Sequence, residues 1–120
     1  MDLLGALGAL RETTFVVRNA DAVSESAGPC RVSADGGWAT LERDGCACHI
    51  HLRIEQLAEA RFVQEPGFTP GTKAYSVQFF HVAGDRPVLS VYLPAGAYDD
   101  VLERVGRQER IAFGPTARTL

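Results

Sequence analysis

The chain has 120 residues and a mass of 13.0 kDa, which predicts a single domain over residues 1–120 built around one core. Its hydrophobic content of 46% and charged content of 22% are those of an ordinary globular protein. A net charge of −3 argues against a nucleic-acid module, whose phosphate contacts need a basic face.

Met1-Asp2 opens with an acid, and the apolar run from Leu3 to Leu10 is interrupted by Gly5 and Gly8. This is neither a basic leader with a long apolar core nor a span of ~20 residues, so neither a signal peptide nor a membrane helix is expected. Three cysteines without an export signal predict reduced thiols and a cytoplasmic location. Eleven arginines stand against a single Lys73. That bias suits carboxylate or phosphate recognition, but coding composition produces it as well.

Residues 2–11 read as a short helix, weakened by their glycines. Residues 13–18 are rich in β-branched and aromatic side chains and read as a strand. A second strand is expected over 21–26, and a third begins at Cys30 after the Gly28-Pro29 break. Asp35-Gly36-Gly37 is a hairpin turn signal leading into a strand over 38–43. Asp44-Gly45 marks another turn. Residues 52–63 are ambiguous between helix and strand; the reading taken is a strand that bends near Gln56 and runs to about Glu65. Pro66 to Gly71 is a loop by composition. Residues 75–82 and 88–93 are the clearest strands, with Pro94 to Gly96 ending the second. A helix is expected from Tyr98 to Arg107, with Val101, Leu102 and Val105 at helical spacing. A short extended piece over 110–113 closes the fold, which is α+β with a large antiparallel sheet, a short N-terminal helix and a C-terminal helix.

The stretch Cys46-Ala47-Cys48-His49-Ile50-His51-Leu52-Arg53 carries most of the chemistry. Its two-residue alternation puts Cys46, Cys48, Ile50 and Leu52 on one face and Ala47, His49, His51 and Arg53 on the other. Free cysteine buries like a small hydrophobe, so the first set is the expected core side. The second set is rich in nitrogen ligands. His49 and His51 are spaced to reach one metal, though a metal would need a third ligand, and His81 is the only other histidine. The bland alternative is two histidines standing in water on a half-exposed strand. The Cys-x-Cys-His run does not fit covalent heme attachment, which has two residues between the cysteines, and no second cysteine pair exists for a zinc ribbon. Tyr75, Val77, Phe79 and His81 share a strand face, a wall that suits a flat apolar ligand and equally suits a sheet core. No nucleophilic triad, phosphate loop or dinucleotide fingerprint is present, so an enzyme is the weaker class.

Taken together, Gly45-Cys46-Ala47-Cys48-His49-Ile50, Arg61-Phe62-Val63, the strand from Tyr75 through Phe79-Phe80-His81 to Gly84-Asp85, and Val91-Tyr92-Leu93-Pro94 resemble the cytosolic heme-utilization proteins. These are the HutX/ChuX-type carriers and the two-repeat HemS/ChuS-type proteins. The similarity spans roughly residues 37 to 113, and the Phe-Phe-x-x-x-Gly and Val-Tyr-Leu pieces are its most specific parts. The resemblance implies reversible, noncovalent heme binding for storage or transfer, a homodimer formed through the sheet, and a heme donor or acceptor protein as partner. The family's heme-contacting histidine falls on His49. Its second histidine, at the start of the following helix, is replaced here by Tyr98, a potential ligand through its phenolate. His81 and His51 are extra histidines able to substitute, and Arg53 is placed to pair with a heme propionate. The chain is shorter than the carriers, mainly before residue 13. Rival readings are a His-x-His protein taking zinc or nickel without porphyrin, and an interaction domain whose sheet face is filled by Trp38, Phe79 and Tyr92. Heme degradation ranks last, since no dedicated oxygen-activating apparatus is visible.

Overall fold

A computed structural model describes residues 3–43 and 49–113. The expected bends and turns divide the strands between two antiparallel sheets. The larger has six strands in the order β2 (Val23–Gly28), β1 (Thr13–Arg18), β8 (Pro87–Leu93), β7 (Lys73–His81), β6 (Leu57–Pro66) and β9 (Arg110–Ala112). The smaller has β3 (Cys30–Asp35), β4 (Trp38–Arg43) and β5 (His49–Arg53) in chain order.

Two short connections carry the chain between the sheets. After Gly28, whose φ of 132° suits a residue without Cβ, Pro29 separates β2 from β3. The bend expected near Gln56 is a single 3-10 turn, Ile54–Gln56, through which the chain leaves β5 and enters β6. This explains the mixed signal over residues 52–63: Leu52 belongs to one sheet and Leu57 to the other, and both are buried in one core. The Asp35-Gly36-Gly37 signal forms its hairpin, with φ of 59° and 84° at the two glycines and Asp35 opposite Trp38. Ile54 N–H donates to the carbonyl of Gly37 at 2.8 Å, tying this hairpin to the 3-10 turn.

One face of the six-stranded sheet forms the core. Phe15, Phe62, Val77, Phe79, Leu89 and Val91 meet Ala39, Leu41 and Leu52 of the smaller sheet there. Helix α1 (Leu3–Gly8) lies against β3 and inserts Leu3, Ala6 and Leu7, while α2 (Ala95–Arg104) lies against β7 and inserts Tyr98, Val101 and Leu102. On the opposite face of the large sheet, Arg61 lies over the Phe80 ring at 4.1 Å and Glu59 receives both Arg61 and Arg110, at 2.7 and 3.5 Å.

The C-terminal helix differs from the expectation by one turn. Pro94 to Gly96 is expected only to end the preceding strand, but Pro94 occupies the N-cap with φ −58° and ψ 153°, and Tyr98 N–H donates to its carbonyl at 2.9 Å. The helix therefore starts at Ala95, which places Asp99 and Asp100 in its second turn. It stops at Gly106, φ 71°, where Arg107 N–H reaches Leu102 and Gly106 N–H reaches Glu103, a Schellman arrangement.

Candidate functional site

The β5 strand has the predicted alternation: Leu52 is 6% exposed, whereas His49, His51 and Arg53 are exposed. The neighbouring cysteines Cys46 and Cys48, expected on the core side, lie outside the described residues. Cross-strand pairing sets three residues of β4 opposite the polar three of β5: Glu42 faces His49, Thr40 faces His51, and Trp38 faces Arg53. The outer face of the small sheet is thus a ladder of polar pairs. Thr40 Oγ1 and His51 Nδ1 are 3.0 Å apart. The Arg53 guanidinium lies over the Trp38 ring at 4.7 Å, a cation–π contact. Its ion pair with Glu55 is loose, at 4.0 Å, and it remains half exposed with donors to spare.

The His49 and His51 rings approach to 4.7 Å between centroids, edge to face. Two imidazoles bound on opposite sides of one metal, with metal–nitrogen bonds of ~2 Å, would put their centroids roughly 6 Å apart. These two share one side of one strand, so as they stand they cannot be a pair of axial ligands flanking a flat macrocycle. No group of three His, Cys, Asp or Glu residues placed to hold a metal ion occurs among the described residues.

Among the described residues, β5 pairs with β4 alone, and its other edge faces the large sheet across a trough. One part of the trough, about 320 Å³, is lined by His51 and Arg53 from β5, Trp38 from β4, His81 from the end of β7, and the apolar Leu52, Leu57 and Leu89. A second part, about 240 Å³, is lined by His49, Phe15, Leu41 and residues Ser24 to Ser26 of β2. Val17 and Ile50 border both, so the two parts adjoin along β5. Together they have the size of a ligand site, with a mostly apolar lining, three histidines, Arg53 and the polar Ser24 to Ser26 along it.

Of the candidates, His49, His51, Arg53 and His81 all reach this trough, and Tyr98 does not. Tyr98 is 3% exposed, with Phe62 and Tyr75 rings at 5.5 and 5.1 Å. Burial pushes its phenol above the ordinary 10.0, outweighing a hydrogen bond with Gln64 that works the other way. The helix that starts a turn earlier than expected is what turns this side chain into the core. A phenolate ligand would need both a proton loss that burial opposes and a path through packed rings. The three aromatics expected to fill one sheet face are likewise dispersed. Trp38 is on the outer face of the small sheet, Phe79 is fully buried, and Tyr92 is on the far side of the large sheet, where its hydroxyl donates to Glu65 at 3.3 Å.

Sequence reasoning missed Thr40, Gln56, Val17 and Leu89 as site residues. The alternation of β4 already puts Trp38, Thr40 and Glu42 on one face, but not which residue of β5 each would meet. That register follows a connection whose length alone does not determine it.

The family model for haem utilisation ChuX/HutX matches residues 1–105. No curated protein matches the chain. Among solved structures, the heme-binding protein ChuX superposes with a TM-score of 0.68 at 18% identity, over 85% of this chain and 69% of that one. ChuS, an E. coli heme oxygenase, superposes with a TM-score of 0.71 at 28% identity, over 86% of this chain and 32% of that one. For holo-PhuS, a heme-binding protein from Pseudomonas aeruginosa, the TM-score is 0.62 at 17% identity, over 77% of this chain and 25% of that one. The antiparallel sheet with its N- and C-terminal helices is therefore the fold of these proteins, and the chain spans about a third of the length of ChuS.

Proposed function

The chain belongs to the haem utilisation ChuX/HutX family, and on that footing we propose that it binds heme noncovalently in the trough beside β5, for storage or transfer in the cytoplasm. The observation that carries this reading is that His51, Arg53 and His81 line one largely apolar cavity, with His49 on its continuation.

The residues present fit the group. Porphyrin faces are apolar, and the exposed or half-buried apolar side chains lining the trough, Val17, Trp38, Ile50 and Val88, would offer them apolar contact above a floor of core residues. One imidazole of the His49/His51 pair would hold the iron. Arg53, whose guanidinium lies over Trp38, would pair with a propionate. When bound, heme would supply an iron centre whose reduction potential its protein ligand tunes. Attachment is noncovalent because the Cys46-x-Cys48-His49 spacing is one residue too short for thioether attachment ahead of the histidine. ChuS is about three times this chain's length, and two copies of this chain as a homodimer would present two such sheets; a protein that donates or takes up heme is the corresponding partner.

The test is a hemin titration followed in the Soret region, with wild type and the His49→Ala/His51→Ala double variant. Saturation near one equivalent, with histidine ligation lost in the double variant, is expected. A broad, non-saturating spectrum common to both proteins would remove heme from the reading. Tight uptake of zinc or nickel by wild type in the absence of porphyrin would favour a His-x-His metal protein instead.

A further inference from the structure

The hydrogen bonds that hold His51 and His81 differ in kind, and the difference divides their roles. Ala83 N–H donates to His81 Nδ1 at 3.0 Å. A backbone amide only donates, so Nδ1 holds the lone pair, and in the neutral ring the proton sits on Nε2. As an iron ligand through Nε2, His81 would have to lose that hydrogen bond or become an imidazolate. His51 is under no such constraint. Its Nδ1 meets the Thr40 hydroxyl, which accepts as readily as it donates. With Thr40 accepting, the proton is on Nδ1 and Nε2 presents its lone pair, with no hydrogen bond surrendered.

Resting on heme binding in the trough, we infer that, of the two histidines lining this cavity, His51 and not His81 is the one able to ligate the iron, through Nε2, with Thr40 as the residue that positions its ring and selects its tautomer. His81 is not a ligand but a fixed N–H donor in the same cavity. It lines that cavity together with Arg53. Two N–H donors on one cavity suit a carboxylate, so His81 joins Arg53 in holding a heme propionate. The outer-shell partner of a ligating histidine sets ring orientation and basicity, and Thr40 has that place across the β4–β5 ladder.

Two measurements test this separately. In the protein without heme, long-range proton–nitrogen correlation spectra at about pH 8.5, where an ordinary imidazole is neutral, should show His81 as the Nε2–H tautomer. An Nδ1–H tautomer overturns the assignment whatever the protein does with heme. In the hemin-loaded protein, resonance Raman and EPR should show imidazole ligation in wild type, His49→Ala and His81→Ala, and its loss in His51→Ala. Thr40→Val should weaken hemin binding by ~10-fold or more and lower the iron–histidine stretching frequency, and Thr40→Ser should restore both. His81→Ala should weaken hemin binding but leave binding of the dimethyl ester, which lacks carboxylates, unchanged. Ligation that is lost in His81→Ala or in His49→Ala, ligation retained in His51→Ala, or a Thr40→Val protein identical to wild type, overturns the assignment. Failure of wild type to saturate with hemin sinks the proposed function and the ligand assignment with it, and the spectrum of the heme-free protein distinguishes that failure from a wrong tautomer.

Discussion

At the level of single residues, alternate positions on β5 do opposite work. Leu52 is in the core, while its neighbours His51 and Arg53 face outward, so a polar substitution at the first unfolds and an apolar one at the others disarms. On the proposed heme reading, Arg53→Ala would remove one charge-assisted contact to a propionate at a half-exposed position. The expected loss is about 1 kcal/mol, a several-fold rise in the hemin dissociation constant, with unfolding stability unchanged. Tyr98 has the reverse character. Its folded-state pKa is raised above 10.0, chiefly by burial, so the folded chain holds the phenol proton more tightly than the unfolded chain. The stability linked to it is fully present below pH 10.0 and is lost as pH rises from there through the raised folded value. Tyr98→Phe should therefore flatten the alkaline fall in stability, read as denaturant midpoints from pH 9 to about 11.5, and should leave hemin ligation unaltered. A change in the Soret spectrum of Tyr98→Phe would restore the tyrosine as a ligand.

Among elements, the β3–β4 hairpin and the 3-10 turn behave as one unit, because Gly37 both turns the hairpin and accepts the Ile54 N–H. A Cβ at Gly37 would lie 2.9 Å from Glu55 Oε2, a flexible side-chain end that swings away. The greater penalty comes from its φ of 84°, a backbone region that costs a residue with Cβ about 1–2 kcal/mol. Gly37→Ala should lower the urea midpoint accordingly. It should also weaken hemin binding, because the carbonyl it distorts anchors the end of β5 that carries Arg53. Binding unchanged in a destabilised Gly37→Ala protein would show that the trough does not depend on this anchor. The α2 helix teaches a related lesson. Pro94 to Gly96 ends a strand and also opens a helix: with Pro94 capping and Gly106 terminating, the helix spans Ala95–Arg104 and brings Tyr98 inward.

For the whole molecule, one core serves both sheets while the trough is left at the seam between them. Core and site should therefore be separable. Phe79 is fully buried among both sheets' side chains, and Phe79→Ala should cost about 3–5 kcal/mol, a large share of a small domain's stability. His51→Ala, at an exposed position, should alter stability by no more than ~0.5 kcal/mol while removing iron ligation. Chemical denaturation and hemin titration on the two variants check the contrast; equal destabilisation would mean that the site and the core are one structure. The proposed homodimer is a property of this scale too, and sedimentation of the heme-free and hemin-loaded protein at micromolar concentration tests it, a monomer in both states ruling it out.

The sequence by itself determined the class of fold, most strand boundaries, the glycine hairpin at Asp35–Trp38 and the two faces of β5, because each rests on alternation, turn chemistry or φ preference within a few residues. The family was legible as well, in short strings such as Phe79-Phe80 before Gly84 and Val91-Tyr92-Leu93. Only the tertiary structure decided that the strands divide between two sheets, that His81 comes to the same trough as His51 and Arg53, and that Tyr98 does not. It also decided which residue of β4 meets each of β5, and so that His51 has a hydroxyl partner where His81 has an amide. Those outcomes depend on register and on the packing of segments distant in sequence, where a shift of one residue moves every side chain to the opposite face.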